Sequence, residues 1–383
     1  MSKTVFKTYK FRLWTKKQQE TALSFQLSEA CRLYNAALQE RRDAWRLNRI
    51  SINYFDQAGQ LKDIRANDDS ALANYSCSQD VLRRVDKTFK AFFNRVKRGE
   101  KGGFPRFKST SRFDSITFPK YGDGIKLIGS KLRIQGVGLV KVKLHREIKG
   151  VIKTVTIQRN CGKWFVIFAV ECEAKLLPKT DRQIGLDAGI ESFITLSNGT
   201  HIENFKYFES SQSQLRKAQR KVSRRKKDSH RRKKAVSQLQ KIHAKIKNQR
   251  SDFHHKTSRA LVDEFDLIAI EKLNIKGLSK GFLSKQVADA AWGNFFRILK
   301  CKAEDADRAV IEVNPNGTSQ TCLCGATVKK DLSIRWHRCE TCGVSEHRDV
   351  VSAKVILNRA LGLSVKDITY RNTESVSLEA ACF

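Results

Sequence analysis

The chain has 383 residues, with 74 Lys or Arg against 39 Asp or Glu and a formal net charge of +35. That length exceeds one ordinary hydrophobic core and predicts two or three domains. A chain so basic repels itself unless a polyanion neutralises it, which points to nucleic acid. No run of about twenty apolar residues is present to span a bilayer, and Met1-Ser2-Lys3-Thr4 opens no apolar signal region. The basic stretches also lack the Trp- and Leu-rich faces of interfacial helices. The expectation is a cytoplasmic, nucleoid-associated protein with no membrane partner. Ten cysteines are present, four of them between Cys322 and Cys342, and such clustering predicts metal rather than disulfides.

In chain order, Val5 to Trp14 alternates as a strand. Thr15 caps a helix, with Gln18 completing a capping-box pattern. Leu23, Leu27, Ala30, Tyr34 and Ala37 share one face of it. Residues 48–74 are polar and turn-rich and read as a loop. A second helix runs from Gln79 to Lys97, with Leu82, Val85, Phe89, Phe92 and Val96 on its apolar face. Arg83, Lys87, Lys90, Asn94 and Lys97 line the opposite face. Such a stripe is ordinarily only solvated. Here it runs into Gly102-Gly103-Phe104-Pro105-Arg106-Phe107-Lys108, where interleaved basic and aromatic residues suit backbone contact and base stacking by nucleic acid. From Asp114 to Glu171 the period becomes two, with turns at Tyr121-Gly122-Asp123-Gly124, Gly136-Val137-Gly138 and Asn160-Cys161-Gly162. This predicts a small barrel to which the first strand pairs. Leu176 to Arg182 is a linker.

Ile184-Gly185-Leu186-Asp187-Ala188-Gly189 is a buried strand ending in a carboxylate with small residues beside it. Phe193 to Leu196 and His201 to Phe205 are further strands joined through Asn198-Gly199. Leu215 to Thr257 carries seventeen Lys or Arg against two Asp. It includes Arg224-Arg225-Lys226-Lys227 and Arg231-Arg232-Lys233-Lys234. Apolar stripes on both halves predict a nucleic-acid-binding helical hairpin turning near Asp228-Ser229-His230. His230, His243, His254 and His255 read as extending its basic surface. The strand pattern returns at Phe265 to Leu273 with Glu271, Ala309 to Val313 supplies a fifth strand, and Asp349 opens an apolar closing helix. That order is RNase H-like. Each acid alone is ordinarily a strand-end or capping residue, but together Asp187, Glu271 and Asp349 predict a convergent site. Carboxylate oxygens bind Mg²⁺ or Mn²⁺ while substrate phosphate completes the coordination, and two such ions stabilise the attacking and leaving oxygens of phosphodiester cleavage. Cys322-Leu323-Cys324-Gly325 and Cys339-Glu340-Thr341-Cys342-Gly343 frame fourteen residues and predict a structural Zn²⁺ ribbon. The first knuckle is a tight C-x-C, and His337 is an alternative ligand. The polar tail 364–383 reads as disordered.

With these motifs the chain resembles the TnpB family, nucleases encoded by bacterial insertion sequences and similar to type V CRISPR effectors. The resemblance covers nearly the whole chain. It rests on Leu82-Arg83-Arg84 through Phe92-Phe93, Gly103 to Lys108, Ile184 to Asp187 and Ile270-Glu271-Lys272-Leu273. Trp292-Gly293, Thr318-Ser319-Gln320-Thr321-Cys322 and His347-Arg348-Asp349 extend it. It implies a RuvC-like DNA endonuclease guided by an RNA from the element's end, cutting double-stranded target DNA beside a short adjacent motif. By motif, Asp187, Glu271 and Asp349 are its catalytic acids, and Cys322, Cys324, Cys339 and Cys342 its zinc ligands. Gln79, Lys87 and Lys90 fall on the helix that faces the adjacent motif. The implied layout is a wedge β-barrel (1–14 and 111–178) with a helical recognition domain (15–110) inserted. A RuvC-like domain follows (179–317, basic hairpin 212–257), with a zinc ribbon (318–346) and closing helix (347–363). A monomer is favoured. The family's D-R-D-x-N reads here His347-Arg348-Asp349-Val350-Val351, so a neighbouring acid and an amide are missing. A transposase or resolvase acting without RNA, and a nuclease-inactive RNA-guided repressor, are the alternatives.

Overall fold

The computed structural model describes residues 3–67, 72–331 and 334–362; the expected tail lies outside them. The chain divides into two compact units, 1–173 and 174–383.

The first unit contains β1 (Thr4–Trp14), α1 (Lys17–Asn48), α2 (Tyr54–Asn67) and α3 (Tyr75–Lys97). Six strands follow: β2 (Ser115–Phe118), β3 (Ile125–Ile128), β4 (Lys131–Ile134), β5 (Gly138–Lys143), β6 (Val151–Asn160) and β7 (Lys163–Glu173). They form one antiparallel sheet in the order β2-β6-β7-β1-β5-β4-β3, with β1 at its centre between β7 and β5. The sheet falls short of a closed barrel, because the four-residue edge strands β2 and β3 are not paired to each other. Strand alternation buries Trp164, Val166, Phe168 and Val170 of β7 against Leu23, Leu27 and Tyr34 of α1 and Val81, Leu82 and Val85 of α3. The β6–β7 turn places both Cys161 (φ 49°) and Gly162 (φ 73°) in the left-handed region, as a two-residue hairpin matched to strand twist requires.

Three expectations change here. The capping box sits one residue later: Lys16 precedes the helix, and Gln19 Oε1 accepts its N–H at 3.0 Å. The segment read as a loop contains α2. Asn53 accepts from Phe55 N at 2.7 Å and Asp56 accepts from Asn53 N at 2.7 Å, while Leu61 is buried. Reciprocal capping and one apolar anchor suffice where the repeat is too sparse to read. The apolar face of α3 enters the core only in its first half, and Val96 is 51% exposed.

The second unit contains β8 (Gln183–Asp187), β9 (Ser192–Leu196), β10 (His201–Glu203), α4 (Tyr207–Ser210), α5 (Gln212–Ser223), α6 (His230–Glu264) and β11 (Leu267–Glu271). Next come α7 (Ile275–Leu278), α8 (Ser284–Ala290), α9 (Trp292–Ala306), β12 (Ala309–Val313), the β13 (Trp336–Arg338) and β14 (Ser345–His347) hairpin, and α10 (Arg348–Leu361). Its sheet runs β10-β9-β8-β11-β12: β10, β9 and β8 are antiparallel, and β8, β11 and β12 are parallel. The predicted hairpin is α5 and α6, turning at Asp228 (φ 64°), with Ser229 Oγ accepting from Arg232 N at 3.2 Å.

Strand periodicity then fixes the two faces. Ile184, Leu186, Ile268 and Ile270 join Phe295 and Leu299 of α9 and Leu261 of α6 in one core. Ala269 lies on the other face, with Val313 and with Ile356 of α10. Gly185 shares that face, and α10 lies so close that a Cβ there would overlap the Ala353 carbonyl oxygen and crowd Leu357. Gly185→Ala is therefore expected to destabilise the second unit by about 1–3 kcal/mol and to push α10 away from β8. A drop in melting temperature together with loss of the activity proposed below is the checking measurement; an unchanged melt would contradict the close approach.

Candidate metal centre

Asp187 ends β8 and Glu271 ends β11, parallel neighbours in register up to Leu186 and Ile270. By the period of two both acids follow Gly185 and Ala269 onto the α10 face. Asp349 stands in the first turn of α10, where the helix dipole favours a negative charge. The three acids from positions far apart in the chain therefore lie at one sheet end, near enough that Glu271 and Asp349 act on the charge of Asp187. Burial lifts the carboxyl pKa of Asp187 well above the usual range, and the charges of Glu271 and Asp349 lift it further, while Arg348 opposes the rise. Burial also raises Glu271, against a hydrogen bond from Thr318 and the charge of Arg359.

Sequence reading assigned no role to the residues that hold these acids. Thr318, 4% exposed, donates its hydroxyl to Glu271 Oε1. Arg359 of α10 secures the preceding loop through the carbonyls of Asn314 (2.9 Å) and Asn316 (2.8 Å). Arg348 donates to the carbonyls of Asp331 (3.1 Å) and Ile334 (3.3 Å), and its Nε lies 3.7 Å from Asp349 Oδ1. His347 Nδ1 accepts from Asp349 N at 3.4 Å, so an imidazole caps this helix. Thr318 and Arg348 fall inside motifs already noted, but nothing in their spacing reveals what they touch.

The four cysteines gather beside this helix entry. Their sulfurs all lie within 4.8 Å of one another, with Cys322 to Cys342 at 3.5 Å and Cys324 to Cys339 at 3.6 Å. A tetrahedral zinc–thiolate centre has sulfur separations of about 3.8 Å, so the donor set fits one such cation. The knuckles close alike despite the shorter first one: Gly325 N bonds Cys322 O at 3.0 Å and Gly343 N bonds Cys339 O at 2.9 Å. Among the described residues this is the one group of three or more ligating side chains gathered so tightly; the three carboxylates stand farther apart. His337 is fully buried outside the group, its Nδ1 beside Lys330 Nζ.

The basic candidates divide between the units. In the first, Arg83, Lys87 and Lys90 are exposed on α3, with Gln79 half-buried and Lys90 paired to Asp86 at 2.9 Å. Arg106 is exposed, and Lys108 Nζ lies over the Tyr34 ring at 4.4 Å. In the second, Arg224, Lys226, Lys227 and Arg231 are exposed around the α5–α6 turn, with Arg225 and Arg232 half-buried. His254 does not belong to that surface. It is fully buried, stacked on Phe193 at 5.5 Å, and bonded through Nε2 to Ala290 O and through Nδ1 to Asn294. Burial pushes its pKa down to about 4, so it is a neutral core residue.

The raised carboxyl pKa values carry a stability consequence. Between the unfolded and the higher folded pKa the native chain binds more protons, so metal-free stability is greatest below that window and falls as pH rises through it. Asp187→Asn removes part of this cost. Its expected effect in chelator at neutral pH is a melting temperature higher by about 2–4 °C per kcal/mol regained, with a flatter decline from acid to neutral pH, read by thermal melts. A lower melting temperature for the variant would contradict it.

Residues 150–281 match the family described as "Probable transposase", and residues 292–356 match the "Cas12f1-like, TNB domain". The chain is 30% identical over 374 residues to "Putative RNA-guided DNA endonuclease InsQ" of Escherichia coli (strain K12), covering 91% of each chain. It is also 30% identical over 387 residues to "Putative RNA-guided DNA endonuclease" of Streptomyces pristinaespiralis, covering 95% of this chain and 92% of that one. The solved mini-RNA-guided endonuclease CRISPR-Cas_phi3 superposes over 95% of this chain and 93% of its own, with a TM-score of 0.52 at 10% identity, a likeness of fold. Identity of that extent over almost the full length of two relatives places the chain in the insertion-sequence TnpB family, to which it belongs.

Proposed function

We propose that this chain is an RNA-guided, divalent-metal-dependent DNA endonuclease of a bacterial insertion sequence, cutting target DNA beside a short adjacent motif. The observation that carries the reading is that Asp187, Glu271 and Asp349 lie at one sheet end, where two of them act on the charge of the third. Three antiparallel strands, two parallel strands and a helix crossing the second face support an RNase H-like (RuvC) centre. Buried carboxylates that penalise one another's charge suit a hard dication, which relieves that penalty. Bound there, Mg²⁺ or Mn²⁺ would polarise the scissile phosphate and stabilise the attacking and leaving oxygens.

The chain's own residues supply the positioning. Thr318 fixes the Glu271 carboxylate, Arg359 fixes the loop carrying Thr318, and His347 caps the helix that presents Asp349. The cysteine group, with no ligand position left open, is read as structural Zn²⁺ that holds the β13–β14 hairpin leading straight into α10. The α5–α6 hairpin and the basic face of α3 are read as nucleic-acid contacts. In this reading α3, with Gln79, Lys87 and Lys90, addresses the adjacent motif, and the guide RNA and the target DNA are the partners.

In a cutting assay with the co-purified RNA, Asp187→Ala is expected to abolish DNA cleavage and leave RNA binding intact. Thr318→Val should lower cleavage by about 10- to 100-fold. RNase treatment should abolish wild-type cutting; activity that survives it would favour a transposase or resolvase working without a guide. Cutting retained in Asp187→Ala would remove the acid assignment altogether. Separately, Cys324→Ser is expected to reduce zinc from one equivalent to a chelator-labile fraction, measured by elemental analysis, and unchanged metal content would refute the ribbon ligands.

A further inference from the structure

In the second unit a cavity of about 390 Å³ opens between α4, α6 and α8, away from the carboxylate site. Lys247 and Arg250 of α6 line it on one side, Ser284, Lys285 and Asp289 of α8 on another, and Phe208 of α4 on a third. Asp289 is the only carboxylate among the lining residues, and its capacity is already taken up. It accepts from Phe208 N at 2.9 Å, from Glu209 N at 3.4 Å and from Arg250 Nη2 at 2.9 Å. This arrangement fixes the guanidinium plane while Arg250 Nε stays buried with no acceptor among the described residues. Lys247 and Lys285 are exposed, and neither has a carboxylate partner among the described residues. Three cations therefore face one spent carboxylate around a concave space.

We infer that this cavity seats an internucleotide phosphate of a bound nucleic-acid strand, with Arg250, Lys247 and Lys285 as its contacts. The inference rests on the nucleic-acid reading above and goes beyond it in naming a built site instead of a charged surface. A guanidinium held in one plane by Asp289 suits the fork geometry of phosphate. Like charges brought together from two helices repel, and an anion between them removes that cost. The Phe208 ring offers an apolar wall for a sugar or base. A smaller cavity of about 120 Å³ shares Phe208, Lys285 and Asp289 with the first and adds Lys206 and Glu209. With two cations against two carboxylates it carries no excess positive charge, so only the larger cavity is read as the phosphate seat. Either RNA or DNA carries that chemistry.

The test uses the full chain and two fluorescein-labelled single strands of one sequence, RNA and DNA, titrated by anisotropy over a range of salt. The Lys247→Gln/Lys285→Gln double variant is expected to bind more weakly, with a salt slope smaller by about 0.7 for each phosphate that is no longer neutralised. Arg250→Lys keeps the charge and loses the fork, and it too should weaken binding if a site exists. Weakening for RNA alone makes this a guide-strand seat, weakening for DNA alone a target-strand seat, and weakening for both a backbone seat indifferent to the sugar. Wild-type binding to both strands, with both variants folded by their melts and unchanged in affinity and slope, overturns the cavity inference alone. Failure of the wild-type chain to bind either strand overturns it together with the function proposed above.

Discussion

Everything at the carboxylate site depends on how closely α10 lies on β8. The contact is possible because position 185 has no side chain, so the backbone of the helix rests almost on the backbone of the strand. Strand alternation then sends Asp187 and Glu271 to the same face, and the first turn of the helix delivers Asp349 beside them. The closeness has an electrostatic cost, since burial and like charge both disfavour ionisation of Asp187. A site that destabilises its own metal-free fold in this way is a common signature of a place built for a cation.

The acids are held by neighbours drawn from elsewhere in the same unit. Thr318 reaches Glu271 from a loop that Arg359 pins, and Arg348 ties the start of α10 to backbone carbonyls near the cysteine group. The two departures from the family motif become intelligible at this level. His347 caps the helix through a ring nitrogen. Val351, standing where the family has an amide, is a buried residue of α10 itself, so that position is apolar and enclosed here.

The large positive charge is likewise not one undifferentiated surface. Some cations are engaged in ordinary structure, as Lys90 is with Asp86 and Arg308 with Asp266. The buried His254, neutral and stacked, shows why counting basic residue types overstates a basic face. Cations gathered around a hollow are different in kind from cations dispersed along a solvated helix, because only the former must be brought together against their repulsion.

Elements whose signal is local were legible in the sequence. The strands ending at Asp187 and Glu271, the hairpin turning at Asp228, the closing helix at Asp349 and the paired cysteine knuckles each follow from alternation, helical spacing or a glycine after a cysteine. These are properties of ten or twenty consecutive residues, and they mark the three acids and the four cysteines as candidates. The helix α2 escaped because its cap is reciprocal and its buried face is only Gln57 and Leu61. The role of Thr318, the burial of His254 and the cavity around Asp289 were decided by tertiary structure alone. Asp289 meets Phe208 across 81 positions and Thr318 meets Glu271 across 47. Such encounters are set by how helices settle on a sheet, and no periodicity in the chain encodes which side chains will find one another there.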